Sequence, residues 1–286
     1  MGMPATSPSV LTPSPSPSDA PDARRGAVRV SGLVRTFGSG RDAHTVLRGV
    51  DLSLRPGEIV AIVGASGCGK STLLRLLAGL DVPTAGVVAV DGTTVTATDE
   101  RTAVGFQEPR LLPWRTLAQN VALGVRRGVS ARERRDRVDE LLDLVGLASS
   151  AHKRPSAVSG GMAQRASLAR ALARTPEVLL LDEPFGALDA LTRLRMQDLV
   201  LDIHARRPTT IALVTHDVEE ALYLADRVIQ LRTLDVDPEA TSIVRSIDVP
   251  GHRPRDRADH TFADLRAELL EGLGVPTHHH TPEEQR

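Results

Sequence analysis

The fold of this chain is decided by one glycine-rich stretch, Gly64-Ala65-Ser66-Gly67-Cys68-Gly69-Lys70-Ser71. It has the spacing G-x-x-x-x-G-K-[ST], in which glycines let the backbone curl so that successive N–H groups face a polyphosphate. Lys70 can reach the β and γ phosphates, and the hydroxyl of Ser71 can bind Mg²⁺. The stretch therefore predicts a nucleoside triphosphate site, and we include the next residue, Thr72, in it.

The residues on both sides supply the structural context that this spacing needs. Residues 58–63 are a largely apolar run of the kind that forms a strand buried inside a sheet. Residues 71–78 carry leucines at helical spacing, and Gly79 ends the predicted helix. A buried strand, a phosphate-binding turn and a helix in this order predict an α/β fold with a P-loop NTPase (RecA-like) core.

The middle of the chain predicts a sheet interrupted by helices. Residues 177–181 and 210–215 are two further apolar strands, each followed by a helical stretch. Residues 115–150 are charged and strand-poor, with leucines at helical spacing. We therefore expect a parallel sheet, a small antiparallel β part and an inserted helical subdomain at about residues 109–172.

Both ends of the chain differ from this core in composition. Residues 1–25 are rich in Ser and Pro and have almost no large apolar side chains, which predicts a disordered tail. The folded domain is expected at residues 26–235, and residues 236–286 are expected to form a C-terminal extension with one amphipathic segment at 262–273. Its three histidines at 278–280 fit a metal site or a solvated tail, and we favour the tail because no ligand geometry is implied.

The overall composition excludes several classes of function. The chain has 35 Lys and Arg against 36 Asp and Glu, and its net charge of −1 gives no basic footprint for nucleic acid. It has neither an apolar run of the roughly 20 residues that cross a bilayer nor the apolar core of a secretory signal, so we expect a cytoplasmic location. The single cysteine, Cys68, excludes an intrachain disulfide, and alkylating it inside the loop is expected to block nucleotide binding.

A second strand ends in two carboxylates. Asp182 and Glu183 follow the apolar residues 178–181, and parallel strands present their ligand sites at this end. An acidic pair at a strand end fits a surface turn equally well when it is taken alone. Together with the phosphate-binding loop, it predicts that Asp182 binds Mg²⁺ and that Glu183 polarises the attacking water as general base.

A second anion-binding element precedes this acidic pair in the chain. Ser159 is a natural helix N-cap, and Gly160 and Gly161 behind it expose backbone N–H groups at the positive end of a helix. The stretch could also do no more than begin a helix. With it, one chain carries two elements that can face a phosphate.

Residues 158–164 resemble the Leu-Ser-Gly-Gly-x motif of the ABC transporter ATPase family, although Val158 replaces the usual leucine and Ala163 a common polar residue. The resemblance covers roughly residues 28–231. In this family the motif faces the nucleotide of the opposite subunit. The resemblance therefore implies a homodimer that binds two ATP molecules with Mg²⁺, and the capping serine and both glycines would act in trans.

Further motifs appear in the family's order. Phe37 matches the aromatic residue that stacks on adenine, although a single aromatic also fits ordinary packing. Gln107 matches the glutamine that senses Mg²⁺ and the attacking water. The loop Gly186-Ala187-Leu188-Asp189 matches the one that crosses the dimer interface, and His216 matches the histidine that contacts the γ-phosphate. The resemblance implies catalytic roles for Gln107 and His216 and a place at the nucleotide for Asp189.

Longer stretches resemble importers of the nitrate, sulfonate and taurine group, most closely those for aliphatic sulfonates. They are Glu108-Pro109-Arg110-Leu111-Leu112-Pro113-Trp114, residues 185–193, residues 215–221 and Arg253-Pro254-Arg255-Asp256-Arg257. The resemblance implies a transmembrane permease and an external solute-binding protein as partners, at the cytoplasmic face of the membrane. Trp114 is expected either beside the permease groove or in local core packing.

Other functions stay as alternatives at this point. The imported solute could be nitrate or taurine, because no pocket for a solute is visible in the sequence, and an exporter ATPase is also compatible with the motifs. A soluble ABC protein that acts on DNA or ribosomes would be expected to carry two ATPase halves or a long coiled-coil insertion, and neither is seen. A non-catalytic nucleotide-binding scaffold is disfavoured by Glu183 and His216.

Overall fold

The computed structural model describes residues 25–234, 237 and 239–275. Its strands are β1 (Val28–Phe37), β2 (His44–Leu54), β3 (Ile59–Gly64), β4 (Ala85–Val90), β5 (Thr93–Thr94), β6 (Thr102–Gly105), β7 (Val178–Asp182), β8 (Thr210–Val214), β9 (Arg227–Leu231) and β10 (Ile243–Asp248). Its helices are α1 (Lys70–Leu77), α2 (Leu117–Ala122), α3 (Ala131–Leu144), α4 (Gly160–Ala173), α5 (Ala190–Arg206), α6 (Val218–Leu224) and α7 (His260–Gly272).

The main sheet has six strands in the order β10-β9-β3-β8-β7-β6. The pairs from β9 to β6 are parallel, and β10 is antiparallel to β9. All six residues of β3 are buried, which is why its sequence is a continuous apolar run. Since β3, β7 and β8 run in the same direction, the loops after them leave the sheet at one edge. The expected parallel sheet is confirmed.

The second sheet is small and antiparallel, with four strands in the order β2-β1-β4-β5. Helix α1 lies between the two sheets, and its four leucines are at most 2% exposed. Each buried leucine contributes about 2 kcal/mol through the hydrophobic effect. The helix ends where Gly79 takes a left-handed φ of 65°. The small antiparallel β part expected from the sequence is therefore present and anchors the helix of the phosphate loop.

The segment between β6 and β7 is helical. It contains α2, α3 and α4, which contact one another and bury Leu117, Val121, Leu141 and Leu142. Capping boxes begin two of these helices, with Thr116 and Gln119 at α2 and Ser130 and Glu133 at α3. Helix α4 also packs against β6, so the helical insertion is attached to the main sheet by the helix that carries the second glycine pair.

The C-terminal segment is integrated into the main sheet. Strand β10 adds an edge strand beside β9, and α7 packs against α6. The amphipathic segment expected at 262–273 corresponds to α7, whereas no strand was expected after residue 235. Residues 1–24 of the expected tail and the histidines at 278–280 lie outside the described residues.

Among the described residues, no helix combines the length and the apolar character that crossing a bilayer requires.

Candidate functional site

The glycine-rich loop connects β3 to α1 at the edge where the parallel strands end. Gly67 and Gly69 have left-handed φ angles of 82° and 97°, which residues with a side chain adopt only with strain. Within the described residues, no side chain caps α1, and its first turn contains no acidic residue. The backbone N–H groups of this turn are therefore available to an anion, as the sequence predicts.

An open cleft lies above this loop. Its floor is formed by Ser66, Gly67, Gly69, Lys70, Ser71 and Thr72, and its walls are formed by Val46, Glu183 and His216. Val46 belongs to β2 and was not expected here. No motif marks it, because its position depends on how the small sheet packs against the loop. The cleft thus brings residues from four separate parts of the chain to one opening.

The ammonium group of Lys70 is bound inside the loop. Its Nζ donates hydrogen bonds to the carbonyl oxygens of Gly64 at 2.8 Å and Ala65 at 2.9 Å, and the residue is only 7% exposed. Phosphate oxygens can displace these carbonyls, because a charged acceptor binds an ammonium more strongly than a neutral one. Lys70 is therefore already placed for a polyphosphate.

Ser71 and Asp182 meet at the start of α1. The Ser71 hydroxyl donates a hydrogen bond of 3.0 Å to Asp182 Oδ1. Burial raises the pKa of the Asp182 carboxyl, and the nearby Glu183 raises it further, while the Ser71 hydrogen bond lowers it. A cation between these two oxygens would remove the cost of the buried charge, so the pair fits the predicted metal-binding role.

Glu183 is the centre of a second group. Its Oε2 lies 3.2 Å from Gln107 Nε2, which donates to it, and 3.3 Å from His216 Nδ1. The three side chains come from the loops after β6, β7 and β8. Glu183 has a left-handed φ of 44°, which costs about 1–3 kcal/mol for a residue with a side chain. Its N–H donates to Val214 O at 2.9 Å, which holds the strained residue in place.

Cys68 is buried in the loop. It is 1% exposed, and burial raises the pKa of its thiol more than the nearby Lys70 lowers it. A Cβ on Gly64 would lie only 2.5 Å from Cys68 Sγ, so there is little free volume around the sulfur. These surroundings fit a small packing residue, and alkylation of the thiol requires the loop to open first.

The second glycine pair lies away from this cleft. Ser159 caps α4 by accepting a hydrogen bond from Met162 N at 3.3 Å, and Gly160 is exposed with open space where a Cβ would point. Asp189 caps the neighbouring helix α5 by accepting from Thr192 N at 3.0 Å. A Cβ on Gly161 would lie 2.7 Å from Thr192 Cγ2, so the two helix starts are adjacent. Neither Asp189 nor the capping serine lines the cleft of its own chain.

Two aromatic residues singled out in the sequence are exposed. Phe37 ends β1, is 41% exposed, and has the guanidinium of Arg35 at 4.1 Å from the centre of its ring. It does not line the cleft above the loop, so the structure does not bring it to the phosphate group. Trp114 is 65% exposed. Local core packing, one of its two expected environments, is therefore wrong.

A network behind His216 was missed from the sequence. Thr215 Oγ1 donates a 2.7 Å hydrogen bond to Glu220 Oε2, and burial raises the pKa of the Glu220 carboxyl. Arg193, on α5, lies 3.7 Å from Glu220 and 3.6 Å from Asp217. Residues 215–221 were quoted for their resemblance, but their contacts depend on α5, which no local pattern reveals.

The sequence of this chain is similar to those of known proteins. The ABC transporter family model matches residues 47–186. Aliphatic sulfonates import ATP-binding protein SsuB 1 of Streptomyces avermitilis is 50% identical over 260 residues, which cover 91% of each chain. The SsuB of Granulibacter bethesdensis is 53% identical over 231 residues, covering 81% of this chain and 89% of that protein. Nitrate import ATP-binding protein NrtD of Synechococcus elongatus is 41% identical over 264 residues, covering 90% and 95%.

A solved structure supports the same conclusion. The ATP-binding cassette MJ0796, described as a dimer in a post-hydrolysis state bound to ADP and Pi, superposes with a TM-score of 0.68 at 31% identity, covering 79% of this chain and all of that one. The predicted P-loop NTPase core is thereby confirmed. Given these similarities over most of its length, the chain belongs to the family of ABC transporter ATP-binding proteins, which bind and hydrolyse ATP.

Proposed function

We propose that this chain is the ATP-hydrolysing subunit of an ABC importer for aliphatic sulfonates. The observation that supports the catalytic part is the meeting of Gln107 and His216 at one oxygen of Glu183, beside the phosphate-binding loop. Such a group can hold a water molecule in line with a γ-phosphate and accept its proton. The two sulfonate import relatives at 50% and 53% identity support the substrate class.

The proposed reaction is the hydrolysis of ATP. The phosphates lie on the backbone N–H groups at the start of α1, and Lys70 exchanges its two carbonyl partners for β- and γ-phosphate oxygens. The water oxygen forms a bond to the γ-phosphorus, and the bond to the bridging oxygen breaks, with its electron pair leaving on ADP. Glu183 takes the proton from the water, which Gln107 orients, while His216 donates a hydrogen bond to the γ-phosphate.

The donor atoms at the start of α1 fit Mg²⁺. Ser71 and Asp182 place two oxygen atoms side by side, and Mg²⁺ prefers oxygen ligands together with substrate phosphates. Among the described residues, no group of three or more His, Cys, Asp and Glu could hold a metal, which agrees with a site that phosphates help to complete. Ser71 and Asp182 would hold the ion, with Gln107 nearby, and the ion would neutralise charge on the β- and γ-phosphates.

The second glycine pair is proposed to serve the partner subunit. Ser159 and Gly160 are exposed and Gly161 is half-buried at the start of α4, and none of the three lines the cleft of its own chain. In a homodimer that buries this surface against the opposite cleft, backbone N–H groups at the start of α4 would bind the partner's γ-phosphate. Asp189 would lie at the same interface. Phe37, exposed at the end of β1, is proposed to stack on the adenine.

The other proposed partners are a pair of transmembrane permease subunits and, through them, an external solute-binding protein. ATP binding would close the homodimer and drive the permease to another state, and hydrolysis would reopen it. The chain would then lie peripherally at the cytoplasmic face of the membrane. A net charge of −1 offers no general attraction to nucleic acid. Exposed Trp114 is proposed to contact the permease.

The test combines capture with stimulation. The tagged chain is recovered from membranes, and the ATPase rate of the recovered complex is measured with alkanesulfonates, taurine and nitrate, each presented on its binding protein. We expect a permease to be recovered and one alkanesulfonate to stimulate the rate. Recovery of no permease would contradict the importer, and the soluble ABC ATPase would replace it.

Nitrate is the second candidate substrate, because the nitrate import relative is 41% identical over 90% of this chain. Stimulation by nitrate or taurine alone would keep the importer and contradict the sulfonate assignment. Stimulation without any solute-binding protein would favour an exporter.

A further inference from the structure

Helix α6 begins two residues after His216 and ends in a set of carbonyl groups that the helix itself leaves unbonded. Arg255 binds two of them. Its Nη1 donates to Leu222 O at 3.1 Å and to Tyr223 O at 3.3 Å, while its Nη2 and Nε donate to Val249 O and Pro250 O, both at 2.9 Å. A cation at the negative end of a helix is also favourable electrostatically. Arg255 therefore ties the C-terminal segment to the end of α6.

Arg253 extends this attachment to the strand of the phosphate loop. Its Nη1 donates to Leu224 O at 3.3 Å, and its Nη2 lies 3.3 Å from Asp226 Oδ1. The other oxygen of Asp226 accepts a 2.8 Å hydrogen bond from the N–H of Ile59, the first residue of β3. One arginine thus connects the end of α6 to the start of the strand that carries the glycine-rich loop.

Arg257 extends the attachment to α5. Its guanidinium lies 3.7 Å from the centre of the Tyr223 ring, and its Nη2 donates to Gln197 Oε1 at 2.7 Å. The Tyr223 hydroxyl donates a 2.6 Å hydrogen bond to Asp198, which is also on α5. Burial and this contact raise the pKa of Tyr223 to about 12, so the phenol stays protonated and keeps the bond.

The opposite end of α6 is held as well. Arg193 of α5 lies within 3.7 Å of both Asp217, which caps α6, and Glu220, which is in its first turn. Arg266 of α7 pairs with Glu219 at 2.8 Å, so the C-terminal segment reaches both ends of the helix. With only seven residues, α6 is about 10 Å long, and a displacement at one end is transmitted to the other.

We propose that Arg253, Arg255 and Arg257, which we call the arginine clasp, are positioning residues for His216. The clasp holds α6 against α5 and β3, and α6 in turn holds His216 beside Glu183 and the γ-phosphate. The C-terminal segment, far from the cleft in sequence, then controls the rate of hydrolysis without touching the nucleotide. This inference rests on the γ-phosphate role proposed above for His216.

The test replaces Arg255 in the full-length chain. Arg255→Met removes the four carbonyl contacts and keeps an apolar stem, and Arg255→Lys keeps the charge with fewer donors. The matched control is Arg245→Met, because Arg245 is also in the C-terminal segment but pairs with Glu268 of α7, at 2.7 Å. The measurements are kcat and KM for ATP, ATP affinity and thermal midpoint.

We expect Arg255→Met to lower kcat about tenfold, equivalent to about 1.4 kcal/mol in activation free energy, while KM changes less than about twofold. Arg255→Lys should recover part of the rate, and Arg245→Met should match the parent. In a His216→Ala background, Arg255→Met should lower the residual rate by less than about twofold, because the group that it positions is gone.

Three results would overturn the clasp as a positioning device. They are an unchanged kcat in folded Arg255→Met, a parallel loss of ATP affinity and rate, and a full additional loss in the His216→Ala background. Should Arg255→Met not fold, Arg257→Met gives the same three readings at a more exposed side chain. If His216→Ala itself turns over at the parental rate, the proposed role of His216 fails; if His216→Ala is slow and the clasp variants are not, only the clasp fails.

Discussion

Helices α1 and α4 both begin in glycine-rich loops, yet the two loops are built differently. The loop before α1 is exposed at residues 65–67 and buried at Gly69 and Lys70, and no side chain caps the helix within the described residues. The loop before α4 is exposed, and Ser159 already bonds one of its N–H groups. In the proposed function, the first loop binds phosphates of the nucleotide held by its own chain, whereas the second binds the nucleotide of the partner subunit. This proposal predicts that changes in the two loops have separable effects.

The largest effect is expected when chemistry is removed and both loops are left intact. Glu183→Gln should lower kcat by about 10³-fold, since a general base contributes about 10²–10⁴-fold, and should leave ATP bound. If the loop before α1 in one subunit and the loop before α4 in its partner bind the same nucleotide, ATP should shift this variant from monomer to dimer in size-exclusion chromatography. Glu268→Gln, on the surface of α7, is the control and should do neither. Full turnover in Glu183→Gln would remove it as the base.

The second largest effect is expected from a charge added to the exposed loop before α4, which should change the rate of hydrolysis but not the ATP affinity of the monomer. Gly160→Asp has room for its side chain, because nothing lies within 4 Å of the Cβ position. A carboxylate there repels a phosphate, so we expect kcat to fall about 10²-fold, as when one oxyanion donor is lost. Monomeric ATP affinity should stay at the parental value, since α1 is untouched. A loss of affinity in the monomer would contradict the division between the loops.

A single methyl group distinguishes the loops by stability. Gly69→Ala forces a left-handed φ of 97° on alanine and places its Cβ 2.7 Å from the buried Leu47, so the free energy of unfolding should fall by about 1–3 kcal/mol. Gly160→Ala meets no atom and favours the helix, so stability should be equal or up to about 1 kcal/mol higher. Urea unfolding of both variants measures the difference, and equal losses would contradict it.

The sequence was sufficient for the first loop and insufficient for much of its surroundings. Glycines, a lysine and a buried strand act locally, so the turn between β3 and α1 and the positions of Asp182 and Glu183 beside it could be predicted from adjacent residues, while their roles at a nucleotide stay predictions. Strand β10 could not, because its residues alternate between half-buried and exposed and its pairing with β9 depends on a distant strand. The contacts of Arg255 could not be predicted either, since its partners lie up to 33 residues away and are backbone carbonyls, which carry no sequence signal.

Two aspartates extend the comparison to pH. Burial raises the pKa of Asp182 at the first loop, whereas hydrogen bonds from Thr192 lower the pKa of Asp189, which lies beside the second. A raised pKa stabilises the fold only below the unfolded value of about 3.9, and this contribution is lost as pH rises through the folded pKa. A lowered pKa acts in the opposite direction: its contribution is present above about pH 3.9 and is lost as pH falls through the folded pKa.

At pH 7 without nucleotide, Asp182→Asn should therefore raise the thermal midpoint. The gain in the free energy of unfolding should be less than about 1 kcal/mol, because the group is partly solvated. The gain should shrink as pH falls through the raised pKa of the parental carboxyl, because the folded protein then no longer holds a buried charge there. Asp189→Asn should lower the midpoint slightly at pH 7, because it replaces a charged cap by a neutral one. With MgATP present, Asp182→Asn should have a lower thermal midpoint than the parent, since the parental carboxylate then has its cation. If Asp182→Asn instead lowers the midpoint without nucleotide, the hydrogen bond from Ser71 outweighs the cost of burying the Asp182 carboxylate.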